Sequence, residues 1–325
     1  FSWSPLGVLR AANNKAVYRE DGRVMSVEEK DLLTAARTFV GAGFASFEEM
    51  DLECLPNRDS LLYERLYGIE GASTVFRGTL RYSGFSTLLN VFKNMGLMSE
   101  AGGLVDNNTS SSTTTWPALL DRLCREGGYD NDDNGNNLHA LLLDCAGGSV
   151  ETAKKASSFL HWLGLTQRDE PAITLSDDGS LIKSFSDVLQ DKLSYRDDER
   201  DMVLMHHAIK ARFEGNKDET HYSSLQLYGD DNMSAMCQTV GYTAAVAADL
   251  VLKGTITRKG VVLPIEKDVY EPCLLALERE GLVFDEKVIV HEDEDDGAVP
   301  RREAAVKNAH GMTTTTTIPE HKVWQ

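Results

Sequence analysis

Between Thr74 and Gly96 the apolar repeat changes period from two to about 3.6 within one short stretch. Val75, Arg77, Thr79 and Arg81 alternate with Phe76, Gly78, Leu80 and Tyr82, which predicts a strand over Thr74–Tyr82. Ser83-Gly84 closes it, and Phe85, Leu88, Leu89, Phe92 and Met95 then recur at helical spacing up to Gly96, a C-terminal stop. A strand, a tight turn and a helix must therefore pack together. The predicted fold class is α/β.

The remaining elements fit around that unit. Ala16–Glu20 and Arg23–Val27 flank Asp21-Gly22, a two-residue hairpin signal. Asp31–Met50 reads as helix-like, Leu52–Leu55 as a strand, and Leu61–Tyr67 as amphipathic. From 96 to 200 the pattern is mostly helical, over Pro117–Arg125, Leu138–Asp144, Val150–Leu163 and Leu181–Leu193. Two polar stretches, Asn107–Thr115 and Gly127–Asn137, read as loop insertions. Asp201–Ile209 and His221–Tyr228 read as strands, and Met233–Lys253 as a helix whose alanines suit close packing onto a sheet. Val269–Glu280 is a further helix and Val283–Val290 a final strand. The acidic and basic runs and the threonines after Glu292 read as a tail without order.

The 325 residues carry a net charge of −18, which repels phosphate backbones and makes nucleic acid a poor partner. No window approaches the ~20 unbroken apolar residues of a membrane span. Five scattered cysteines without a CxxC pair fit reduced thiols in an intracellular protein, so the sequons at Asn107, Asn108 and Asn232 are expected to be bare. The chain starts at Phe1 inside a structured phrase and reads as a fragment.

Several motif matches fail on their own chemistry. Asp130-x-Asp132-x-Asn134-Gly135 opens like a calcium loop, but Leu141 stands where a bidentate Glu must be. Gly41-Ala42-Gly43 has Ser46 in place of the third glycine of a dinucleotide fingerprint. His206-His207 are neighbours on a strand and point to opposite faces, so they do not form a metal pair. The arginines are more informative. Arg77 and Arg81 fall on one strand face, and Arg58 lies in the Pro56–Ser60 turn at the end of another strand. In an acidic chain, guanidiniums gathered on adjacent strands suit planar, bidentate recognition of carboxylates.

Phe1-Ser2-Trp3-Ser4-Pro5, Pro56-Asn57-Arg58-Asp59-Ser60 and Arg77-Gly78-Thr79-Leu80-Arg81-Tyr82 resemble blocks of the saccharopine dehydrogenase (saccharopine reductase) family in order and spacing. Glu199–Val203 and Ser234–Gly241 look like later blocks, so the likeness spans most of 1–290. Lys192-Leu193-Ser194-Tyr195 looks more like the dehydrogenase half of the bifunctional α-aminoadipic semialdehyde synthase than like the single-function fungal enzyme.

The resemblance implies that saccharopine, a tricarboxylate with a secondary amine, is bound by Arg58, Thr79, Leu80 and Arg81. It implies NAD or NADP as cofactor, intracellular (mitochondrial if bifunctional, otherwise cytoplasmic) placement, and no metal. The Rossmann phosphate cradle and the catalytic acid and base are expected upstream of Phe1. The implied fold is a mixed-sheet substrate domain over 1–95 and 201–232, a helical insertion over 96–200, and a return helix toward the Rossmann domain within 233–291, with 292–325 as the tail. Homo-oligomerisation is compatible with this reading, and membrane and nucleic acid are not expected partners. The rivals are a non-catalytic relative that binds a partner or metabolite, and a dehydrogenase for another carboxylated amine.

Overall fold

The computed structural model describes residues 4–41, 44, 47, 49–100, 115–129, 137–167, 180–214, 217–291, 304–307 and 313–316. The calcium-loop mimic, Ala42, Gly43 and Ser46 of the glycine motif, the start of the first family block and most of both expected loop insertions lie outside these residues.

The Asp21-Gly22 hairpin forms as expected, joining β1 (Ala16–Glu20) to β2 (Arg23–Val27). Both turn residues take positive φ, 47° and 78°, as a primed turn demands. β3 (Arg37–Phe39), β4 (Leu52–Pro56) and β5 (Gly78–Tyr82) make a second sheet in that order, with Leu52 opposite Tyr82 and Cys54 opposite Leu80. A third sheet holds β6 (Met202–Phe213), β7 (Lys217–Tyr228), β8 (Asp285–His291), β9 (Ala304–Lys307) and β10 (Thr313–Thr316) in the spatial order β10-β9-β8-β7-β6. Its long hairpin joins β6 to β7, followed by β8. Every ladder among the described strands is antiparallel; Val17 and Asp59 form a parallel bridge and Arg19 and Val75 an antiparallel one.

Three sequence expectations change here. Asp31–Met50 does not open as a helix: it forms short 3-10 turns at Glu29–Asp31 and Leu33–Ala35 and then β3, because pairing to β4 and the β-prone Arg37-Thr38-Phe39 outweigh the helical spacing. The strand over Thr74–Tyr82 is also interrupted. Val75 bridges Arg19 while Gly78–Tyr82 pairs with β4, so Arg77 falls between two partners. In the tail, β9 (Ala304–Lys307) and β10 (Thr313–Thr316) extend the third sheet, where the sequence reading has no regular structure.

The helices are α1 (Pro5–Ala11), α2 (Leu62–Tyr67), α3 (Phe85–Asn94), α4 (Trp116–Glu126), α5 (Asn137–Cys145), α6 (Val150–Trp162), α7 (Leu181–Lys192), α8 (Ala235–Leu252) and α9 (Lys267–Arg279). One continuous core joins Leu9, Leu89 and Phe92 to Trp116, Leu142, Leu160 and Phe185. The helical stretch thus shares its interior with α1 and α3. Phe92 stacks on Phe159 at 5.7 Å and meets Phe185 edge-on at 5.6 Å.

Buried carboxylates fix where two helices start. Glu53, in the middle of β4, accepts the Ser86 N–H at 2.6 Å and the Gly84 N–H at 3.1 Å, which caps α3 from across the sheet. Asp201, 4% exposed, accepts the Ala235 and Met236 N–H groups at 2.6 and 2.9 Å, while its carbonyl accepts the Gly229 N–H. It therefore ties the start of β6 to the first turn of α8. Asp201→Ala is expected to lower stability by about 2 kcal/mol, since it orphans charge-assisted donors. A urea midpoint that falls without a change in slope would show it; an unshifted midpoint would refute the tether.

α8 does not pack along a sheet as its alanines suggest. Ala235, Gln238 and Thr239 are its buried residues, whereas Val240, Val251 and Leu252 are 61%, 54% and 86% exposed. Its contacts are mainly with α9 and with β6. By length and composition alone it is apolar enough to cross a membrane, although no twenty-residue unbroken apolar window exists.

Candidate functional site

A cavity of about 1400 Å³ opens beside β5. Its floor is apolar, from Phe39, Leu52, Cys54 and Phe76. β5 supplies all of Gly78–Tyr82, β6 supplies Met202–Ala208, and the end of α7 and the segment after it supply Lys192, Tyr195 and Arg196. Cys54 in the floor is desolvated enough to push its thiol up to about 11, so it stays neutral.

The ladder shows what β5 offers this cavity. Asn57 donates its N–H to the Arg77 carbonyl at 2.9 Å, and Ser83 donates to the Asp51 carbonyl at 2.9 Å. In an antiparallel pair the bonded positions alternate, so Thr79 and Arg81 aim their main-chain groups at β4. Gly78, Leu80 and Tyr82 then direct theirs to the opposite edge, where no described strand pairs with β5. The Leu80 carbonyl is taken up by Arg81, whose Nη1 donates to it at 2.9 Å. The Leu80 N–H is left on the open edge, beside the guanidinium.

Arg81 itself is largely desolvated, which pushes its pKa down from the usual value, and its guanidinium lies 5.3 Å from the Phe85 ring centre. Among the described residues no carboxylate pairs with it. Arg196, by contrast, is held by Glu199 at 3.2 Å. A sheltered cation without an anion, next to a free N–H and the Thr79 hydroxyl, is suited to receive a carboxylate.

Of the residues that sequence reading placed in the site, Thr79, Leu80 and Arg81 come together on this wall. Arg58 does not join them. It is exposed, with φ 53°, and its carbonyl accepts the Val17 N–H beyond the end of β4. Arg77 is not among the residues that line the cavity. Its N–H donates to Ser60 Oγ at 3.0 Å and its guanidinium stacks on the Tyr63 ring at 4.2 Å. Sequence reasoning set His206-His207 aside as a metal pair and gave Tyr195 no role in the site; His206, His207 and Tyr195 all line the cavity. No group of three or more metal-ligating side chains occurs among the described residues.

The open edge of an antiparallel sheet and the end of a helix thus border a cavity with Arg81 in its lining, within a mixed α/β unit. Comparison with known proteins makes the class specific. Residues 1–282 match the model of the saccharopine dehydrogenase C-terminal domain, and the chain belongs to that family. It is 36% identical over 301 residues to an alpha-aminoadipic semialdehyde synthase of Arabidopsis thaliana, covering 88% of this chain and 27% of that protein. It is 31% identical over 292 residues to the saccharopine dehydrogenase [NADP(+), L-glutamate-forming] of Saccharomyces cerevisiae, covering 89% and 62%. The solved apo structure of histidine-tagged saccharopine dehydrogenase (L-Glu forming) from Saccharomyces cerevisiae superposes with a TM-score of 0.74 at 30% identity, again over 89% and 62% of the two chains. The chain thus spans less than two thirds of these relatives.

Proposed function

We propose that this chain is the substrate-holding part of a saccharopine dehydrogenase of lysine metabolism. The enzyme would oxidise saccharopine to glutamate and α-aminoadipate semialdehyde. The observation that carries the reading is Arg81, a desolvated guanidinium without a carboxylate partner among the described residues, beside the open Leu80 N–H in a cavity large enough for an extended tricarboxylate. The relatives' names supply the substrate; this chain's geometry supplies a place for one of its carboxylates.

In this reading Arg81, the Leu80 N–H and the Thr79 hydroxyl fix one carboxylate, and the apolar floor takes the methylene chain. Arg58, exposed beyond β4, meets a carboxylate that projects from the cavity, where water weakens the contact. The nicotinamide cofactor, NAD or NADP, would accept the hydride. The described residues do not fit its phosphates, since no glycine-rich turn joins a strand to a helix N-terminus. Cofactor binding is therefore assigned to the N-terminal portion by which the relatives exceed this chain. The exposed apolar side chains of α8 are the surface we assign to that portion. An alpha-aminoadipic semialdehyde synthase of Rattus norvegicus, 34% identical to this chain over 287 residues, is named mitochondrial, and the same compartment is proposed here if the full polypeptide is bifunctional.

The test mixes saccharopine with NAD or NADP and follows nicotinamide reduction. A polypeptide that includes the N-terminal portion should turn over, and the 325-residue chain alone should not. Turnover by the chain alone would overturn the assignment of the cofactor. A folded, extended polypeptide without turnover would leave a non-catalytic binding module instead.

A further inference from the structure

His206 sits on the β6 wall of the cavity, in surroundings that a merely filled core position does not require. Its ring lies edge-on to Phe39, Phe44 and Phe47, with centroids 5.3, 5.8 and 5.9 Å away, and stacks on Tyr222 at 5.8 Å. Nδ1 is 2.7 Å from Ser224 Oγ. Burial holds the imidazole neutral, with a pKa lowered to about 4.

The hydrogen-bond arrangement fixes the tautomer. Ser224 is 2% exposed, and among the described residues its hydroxyl has Nδ1 as its partner. A buried O–H that fails to donate costs far more than an unused lone pair, so Ser224 donates and Nδ1 accepts. The ring proton then resides on Nε2. No described residue accepts from Nε2, and His206 and Arg81 both line the same cavity. Four aromatic rings hold the imidazole in place, so little further side-chain entropy is lost when Nε2–H meets an acceptor.

We propose that His206 Nε2–H is a second, neutral reader of the ligand, donating to a carboxylate oxygen in the cavity that Arg81 also lines. Its role is specificity: it distinguishes a ligand that carries carboxylates at both ends from one that carries them at a single end. This rests on the carboxylate reading of the cavity, and the experiment separates the two.

The experiment uses the polypeptide that includes the N-terminal portion. His206→Phe preserves the aromatic packing and removes the donor, and His206→Gln restores an N–H near the Nε2 position. With His206→Phe the saccharopine KM should rise about tenfold, as expected for one hydrogen bond to a charged group. kcat and the nicotinamide KM should stay within about twofold, and His206→Gln should recover most of the loss. Nitrogen NMR of the parent ring should show the Nε2–H tautomer, with a resonance that shifts when saccharopine is added. A ring protonated on Nδ1, or a resonance unmoved at saturating saccharopine, would overturn the proposal even if a variant failed to fold. A folded His206→Phe with parental KM would do the same. If Arg81→Met then still weakened saccharopine, the cavity reading would survive without His206; if neither variant had an effect, both would fall.

Discussion

Arg81→Met, in a polypeptide that contains the N-terminal portion, is expected to raise the saccharopine KM ten- to a hundredfold. The range follows from ~1.5–3 kcal/mol for a hydrogen bond to a charged partner sheltered from water. The nicotinamide KM should barely move, because nothing near Arg81 fits the cofactor phosphates. Arg81→Lys should recover little: an ammonium cannot both hold the Leu80 carbonyl and present a planar pair to a carboxylate. Arg77→Met is the matched control on the same chain segment. Its guanidinium rests on Tyr63 outside the cavity lining, so the saccharopine KM should stay within about twofold. Arg58→Met should show a few-fold effect, in keeping with an exposed contact. A folded Arg81→Met enzyme with the parental KM would return β5 to an ordinary charged strand.

Phe185→Ala is expected to cost about 3–5 kcal/mol of stability. The ring is completely buried on α7, 5.6 Å from Phe92 and 6.5 Å from Trp116, at the place where the helical layer meets α3. Removing it leaves a void that neighbours on three helices cannot all collapse into. Phe185→Leu should cost far less, about 1–1.5 kcal/mol, since most of the volume returns. Chemical denaturation of the two variants measures the difference. A loss below about 1 kcal/mol for Phe185→Ala would mean that the helical layer and the α3 layer are not one cooperative core.

The parts of the fold governed by short-range chemistry were legible in the sequence. Asp21-Gly22 can accept positive φ, and the hairpin lies where it says. The amphipathic spacing of Trp116–Glu126, Val150–Trp162 and Leu181–Lys192 identifies three helices to within a residue or two. What failed depended on distant partners. Arg37–Phe39 is a strand because β4 lies beside it, and no local pattern announces β4's neighbour. The run from Thr74 to Tyr82 alternates well, yet Val75 and Gly78–Tyr82 serve different partners, and the Arg77 guanidinium rests on the Tyr63 ring.

The candidate site divides in the same way. Thr79, Leu80 and Arg81 were singled out because they share one strand and one family block, and all three line the cavity. Arg58 belongs to an equally clear block but ends on the surface, since block membership carries no information about burial. His206 could not be promoted from the sequence. Its meaning comes from Phe39, Phe44 and Phe47, more than 150 residues upstream, and from Ser224 on the next strand.

Asp201 fastens α8 at one end and leaves most of its length open, which gives the helix the mechanics of a lever. Eighteen residues extend roughly 27 Å at 1.5 Å per residue. A tilt of about 5° about the fastened first turn would therefore carry Leu252 through roughly 2 Å. Met236, in that first turn, also borders the cavity. A tilt of that kind would pass to Met236 at the cavity only as a small displacement, with the large travel confined to the far end of α8.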